Sequence, residues 1–199
     1  MGNLKSVSKA IEHVGHRAVI TSEPTTILSA DRLILPGVGA FRDAIARLKE
    51  LGLDDTLRDY HAKGRPMLGI CLGLQLLFDR SEEEGLYEGL GILAGDVVRF
   101  ESRASQVPGQ TLKVPHMGWN ELEIVRPAPI LEDLGPKPSV YFVHSYYVRP
   151  KDTSVIATVT DYGIKFTSMI WKEHLFASQF HPEKSQQVGL SMLAKFAEV

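Results

Sequence analysis

Apolar residues fall at helical spacing at Val7, Ala10, Ile11 and Val14, and Gly15 supplies a stop just after them, so the chain opens on a helix. Short apolar runs at Val19-Ile20 and at residues 32–35 read as strands. The second ends in Pro36-Gly37-Val38-Gly39, after which residues 41–51 return to helical spacing. The order then repeats, with a helix over residues 57–63 capped by Gly64, a buried strand over 66–70 and a helix over 72–78. Beyond Gly89-Leu90-Gly91 the pattern changes to short alternating strands, including residues 95–100, 122–125, 140–148 and 156–159, with proline-rich joints. A last strand over 175–180 leads to His181-Pro182-Glu183, and residues 188–196 close as a helix.

Strands alternating with helices require a sheet covered on both faces. The expected fold is α/β: a mostly parallel open sheet, flavodoxin-like, with helices on both faces and a small antiparallel extension, in one domain over residues 1–199. Doubly wound sheets begin on a central strand, whereas this chain begins on a helix, so a first strand is expected to be missing.

Composition narrows the classes of function. Lys and Arg number 22 against 24 Asp and Glu, a formal charge of −2, which offers no basic surface for nucleic acid or an anionic membrane. The longest apolar stretch, residues 66–78, is interrupted by Gln75 and falls short of the ~20 residues of a membrane span. A single cysteine excludes an internal disulfide, and the start carries no hydrophobic secretory segment, so the expected compartment is the cytoplasm. The histidines show no metal-ligand spacing, and no metal or other cofactor is implied.

Cys71 sits in Gly69-Ile70-Cys71-Leu72-Gly73, between a strand and a helix. A small residue two positions to either side permits the strained turn that lifts one side chain above a sheet edge, where a nucleophile belongs. Taken alone, a lone cysteine is more often a small core hydrophobe. The balance changes with His181-Pro182-Glu183: Pro182 biases His181 toward extended backbone, so residues 181 and 183 face the same way. Glu183 can then orient one imidazole nitrogen while the other faces a thiol. Two glycines after a strand, in Pro36-Gly37-Val38-Gly39, free backbone N–H groups near Val38 and Gly39 for an oxyanion, with the N–H of Leu72 as a second donor. The same loop could be a plain turn, and it lacks the spacing and lysine of a phosphate loop. Gln75, one helical turn after Cys71, is a polar amide on an apolar helix and a candidate ligand contact.

Together these pieces resemble the class I, triad-type glutamine amidotransferases over nearly the whole chain. Within that superfamily the blocks at residues 36–41, 69–77, 115–120, 141–146 and 180–185 are similar to the glutaminase subunits of imidazole glycerol phosphate synthases. The resemblance implies hydrolysis of L-glutamine by Cys71, His181 and Glu183. Ammonia would pass to a cyclase subunit, a (β/α)₈ barrel bound as a heterodimer, in histidine biosynthesis. It also implies glutamine contacts at Gln75, His144, Ser145 and Tyr146, and partner contacts around Gly118-Trp119 and Lys184-Ser185. Two alternatives remain at this point: service to another synthase of the anthranilate or pyridoxal phosphate type, or a non-catalytic subunit that activates its partner.

Overall fold

The computed structural model describes residues 3–101 and 112–199. Helix α1 (Leu4–His13) buries Val7, Ala10 and Ile11, the apolar face seen in the sequence. It is followed by α2 (Pro24–Ser29), β1 (Leu33–Gly37), α3 (Phe41–Glu50), α4 (Leu53–Ala62), β2 (Met67–Cys71) and the short α5 (Leu72–Leu76). Then come β3 (Phe78–Ser81), β4 (Tyr87–Glu88), β5 (Leu93–Arg99), β6 (His116–Glu121), β7 (Glu123–Ile124), β8 (Ser139–His144) and β9 (Tyr146–Pro150). Strands β10 (Ile156–Asp161), β11 (Lys165–Lys172) and β12 (Leu175–Ser178) precede the closing α6 (Gln186–Glu198).

Among the described residues ten strands form one sheet, with β1-β2-β12-β11-β9-β5-β3-β4 in order and β10 and β7 branching from β11. Only β1–β2, β2–β12 and β3–β5 pair in parallel; the other pairs in this sheet are antiparallel. The sheet is therefore mixed, and the expectation of a mostly parallel sheet with a small antiparallel extension is corrected. The cause lies in the connections. Parallel neighbours need a long crossover, as α3 and α4 provide between β1 and β2, whereas the three-residue link between β10 and β11 and the two-residue link between β11 and β12 suit chain reversals. β6 and β8 form a separate antiparallel ribbon.

Helices cover both faces of the parallel part. Phe41, Ile45, Leu57 and Tyr60 from α3 and α4 pack on one side with Met67, Leu175 and Ala177. On the other, Ile11 of α1 and Met192, Leu193 and Phe196 of α6 pack with Leu68, Ile70 and Phe176. Alternate residues of β2 and β12 thus feed two cores, which is why both strands read as unbroken apolar runs. The Val19-Ile20 pair is not a strand: the two residues are 62% and 50% exposed, and β1 stands at the edge of the sheet with β2 as its pairing neighbour. An apolar pair without a neighbouring strand has no ladder to join. The helix expected over residues 72–78 ends at Leu76, and Phe78 opens β3. No helix among the described residues is long and apolar enough to cross a membrane.

Backbone is packed very closely at Gly73. A Cβ there would lie 1.8 Å from the carbonyl oxygen of Leu35 in β1. Gly73→Ala is expected to lower stability by about 3 kcal/mol or more, since the obstacle is backbone and cannot step aside; urea unfolding of the variant beside the parent chain measures it.

Candidate active site

Cys71 is the last residue of β2 and precedes the first residue of α5, with φ 56° and ψ −108°. A non-glycine residue at positive φ is strained, and strain of this kind survives where the surroundings enforce it. Here the close packing of Gly73 under β1 enforces it, so the chain must turn within one residue. Leu72 follows as the first residue of α5, where its N–H has no intrahelical acceptor and is free for a ligand. On the neighbouring rim Gly39 takes φ +97°, and Phe41 N donates to Glu83 Oε2 at 2.6 Å, which pins the far end of the glycine loop.

Cys71 and His181 line one cavity of about 350 Å³. Val38, Gly39, Leu72, Gln75, His144, Ser145 and Tyr146 line it too, so the residues singled out from the sequence converge on one space. Glu83, Pro115, Val143 and Lys184 add to its wall. Glu83 belongs to an acidic run that reads as a solvated surface, and only the fold brings it against α3.

His181 reaches the rim because β12 runs parallel to β2 and ends beside it. Its Nδ1 lies 2.8 Å from Glu183 Oε1, and both side chains are buried. Nε2 makes no hydrogen bond of ordinary length, yet stands close enough to the Cys71 thiol for the two to interact. Burial alone would push the His181 imidazole down; its interactions with Cys71 and Glu183 outweigh this and raise it to about 9. Burial would likewise push Glu183 up, but His181 and then Asn3 hold its carboxyl below the ordinary value. Ser185 is fully buried, accepts from Tyr141 N at 3.0 Å and donates to His181 O at 2.7 Å. It braces the histidine turn against β8 and is buried, whereas Lys184 beside it is exposed.

Asn3 was not singled out by the sequence. It occupies the N-cap position of α1, but its side chain makes no cap bond. Instead Asn3 Nδ2 donates to Glu183 Oε1, the oxygen that also receives His181 Nδ1, and lies 3.1 Å from that nitrogen. Two donors converge on one oxygen while Glu183 Oε2 is left buried and bare. A helix start reads in sequence as a cap, so nothing local announces this contact.

A second polar cluster lies across the cavity. His144 Nδ1 and Gln75 Nε2 both meet the carbonyl of Tyr146, at 2.8 and 3.1 Å. Since a carbonyl can only accept, His144 carries its proton on Nδ1, and its Nε2 accepts from His116 Nδ1 at 3.0 Å. Asn120 Nδ2 in turn donates to His116 Nε2 at 3.3 Å. Burial pushes His116 down to about 4. It pushes His144 down to about 3, where the bond to Tyr146 opposes it and the neighbouring histidines add to it. Both rings stay neutral.

These shifts fix how stability depends on pH. His116 and His144 bind protons more readily unfolded, so stability falls as pH drops from about 6.5 toward 4, and Glu183 adds to that loss at the acid end. His181 contributes fully below its unfolded value of 6.5, and that contribution is lost as pH rises through about 9. Urea midpoints measured from pH 4 to pH 10 are expected to peak near neutrality and fall on both sides. Asn3→Ala should cost about 2 kcal/mol at neutral pH, the scale of a hydrogen bond to a charged group. It should also move the acid limb of the activity profile to higher pH, because Glu183 loses a group that favours its charged form.

The family model for glutamine amidotransferase class-I matches residues 2–199. The chain is 53% identical over 199 residues to the imidazole glycerol phosphate synthase subunit HisH of Syntrophotalea carbinolica, covering 100% of this chain and 96% of that one. It is 50% identical to the subunit of the same name from Geobacter sulfurreducens, covering 100% and 95%. Among solved structures, a glutamine amidotransferase crystal structure shares the fold with a TM-score of 0.73 at 21% identity, over 100% of this chain and 95% of the other. The acivicin-bound glutaminase domain of Trypanosoma brucei CTPS does so with 0.64 at 18%, over 99% and 89%. The chain belongs to the class-I glutamine amidotransferase family.

Proposed function

We propose that residues 1–199 form one glutaminase domain that hydrolyses L-glutamine with Cys71, His181 and Glu183. The observation that carries the reading is that a thiol on a strained turn and an imidazole oriented by a buried carboxylate border the same cavity. The Cys71 thiolate attacks the carboxamide carbon of glutamine. His181, held protonated, gives its Nε2 proton to the departing amine, and ammonia leaves as a γ-glutamyl thioester forms. Neutral His181 then takes a proton from water, which attacks the thioester and releases glutamate. The oxyanion of each step is met by the N–H of Leu72 and by backbone donors near Val38 and Gly39; losing one such donor typically costs about 10²–10³ in rate.

Around the substrate, Gln75 has both amide hydrogens engaged, so what it offers glutamine is the acceptor Oε1. The Tyr146 carbonyl already takes two donors, and His144 is held neutral behind it. These residues shape the pocket for the amino-acid end of the substrate, with Ser145 beside them at its wall.

The partner in this proposal is a (β/α)₈ cyclase subunit, bound as a heterodimer in histidine biosynthesis; support for it is that the relatives are named as subunits of imidazole glycerol phosphate synthase. Met117 and Trp119 on β6 are 61% and 49% exposed, and Lys184, whose Nζ is 6.0 Å from the Tyr141 ring, borders the cavity beside them. An aromatic and apolar patch next to the cavity mouth is where a partner can receive ammonia before bulk water protonates it. The free thiol needs a reducing compartment, which here is the cytoplasm.

Cys71→Ala is expected to abolish glutamate release in the presence of the cyclase, and persistent turnover would end the proposal. A glutamine-mimicking diazo ketone should label the thiol of the unaltered chain; a mass spectrum without the adduct at Cys71 would favour a non-catalytic activating role.

A further inference from the structure

The pairing of β2 with β12 sets Leu175 opposite Met67 and Ser178 opposite Ile70, so the next step of the register sets Gln179 opposite Cys71. Gln179 is completely buried. Its Nε2 lies 3.7 Å from Cys71 Sγ, within the longer reach of hydrogen bonds to sulfur, and its Oε1 lies 3.1 Å from Gln75 Nε2.

Which end of each amide faces which neighbour follows from one atom that cannot be turned around. The Tyr146 carbonyl is an acceptor, so the Gln75 atom facing it is the nitrogen. That nitrogen spends its second hydrogen on Gln179, whose facing atom must therefore be the oxygen. The remaining end of Gln179, turned toward sulfur, is then its NH₂ group. The main chain of Gln179 is fixed separately, by its N–H donating to Ser168 O at 2.8 Å. A fully buried donor held from both ends has little freedom to turn away, and nothing is lost in reorienting it when charge appears on sulfur.

We infer that Gln179 is a catalytic residue of the glutaminase reaction, donating through Nε2 to the Cys71 sulfur and stabilising its thiolate, with Gln75 as the positioning residue that fixes the direction of that donor. The inference rests on the reading of Cys71 as nucleophile. It gives the buried amides a task that precedes substrate: holding negative charge on sulfur while His181 keeps its proton. When the thioester forms, the charge leaves sulfur and the bond weakens; when the thiolate returns as glutamate departs, it strengthens again. Gln179 therefore favours the two states in which sulfur is anionic. The other ionisable groups around the cavity are His181, two residues along the same segment, and His144, Tyr146, Glu83 and Lys184 from elsewhere in the chain.

The test is the pH dependence of Cys71 alkylation by iodoacetamide in the full chain, together with kcat and KM for glutamine in the cyclase complex. Gln179→Leu removes both arms of the amide. Gln179→Glu keeps the shape and the bond from Gln75 but replaces the donor facing sulfur with an acceptor, and it serves if the leucine variant does not fold. In the leucine variant the alkylation profile should move to higher pH by about one unit, with the neutral-pH rate down about tenfold, the scale of one hydrogen bond to a charged group; the glutamate variant should move at least as far in the same direction, because its carboxylate faces the thiolate. kcat should fall with KM for glutamine little changed. Gln75→Leu should reproduce part of the alkylation shift, because it frees Gln179 to rotate. A folded position-179 variant whose alkylation profile matches the parent chain overturns the inference. Such a result leaves the nucleophile itself standing, since that is read independently by diazo ketone labelling.

Discussion

The parallel pairing of β2 with β12 is the constraint on which this site rests. Two parallel neighbours end at the same rim, so a nucleophile placed just after one and a base placed just after the other become neighbours despite their distance in sequence. The register matters as much as the direction. A slip of one residue would turn the side chains after β12 to the opposite face, carrying Gln179 away from sulfur and exchanging the two cores that β2 and β12 feed. Because both faces are packed, such a slip would expose or misplace several large apolar side chains at once. Core packing and catalytic geometry are thus enforced by the same contacts.

Around that pairing the site is built by fixing backbone rather than by accumulating polar side chains. The close seat of Gly73 against β1 leaves Cys71 no relaxed conformation, and Ser185 ties the histidine turn to β8 through bonds to Tyr141 and His181. Asn3, brought in from the start of α1, adds a donor to Glu183 from a third direction. Each brace comes from a different part of the chain, so the imidazole is held against rotation about several axes. The cost of burying the Glu183 carboxylate is offset by the charged imidazole, which holds the carboxyl below its ordinary value while the imidazole is raised above its own.

Much of this was legible in the letters. Cys71 between two glycines, His181-Pro182-Glu183 after an apolar run, and the glycine pair after β1 are local patterns whose chemistry is readable without a fold. The helices α1, α3 and α6 announced themselves by spacing. What escaped depends on partners distant in sequence. The mixed sheet arises from how β9, β10 and β11 pair, and β6, a strand with Gly118 and Trp119 in it, carries little strand signal of its own. Asn3 and Gln179 are ordinary amides whose roles exist only once α1 meets the histidine turn and β12 lies beside β2. Ser185 followed the exposed Lys184 in sequence but points inward, a difference of direction that a block of letters does not encode.

The main-chain oxygen at position 146 has a consequence for how this sequence can vary. Both of its lone pairs are engaged, by Gln75 and by His144, so the polar service of this residue is performed without its side chain. The phenol ring joins the apolar packing around β9 instead. Mutational drift here is therefore limited by shape, and another bulky apolar residue could inherit the place. The residues that spend side-chain atoms on that oxygen have less latitude, because an exchange at 75 or 144 would remove one of its two donors inside the protein.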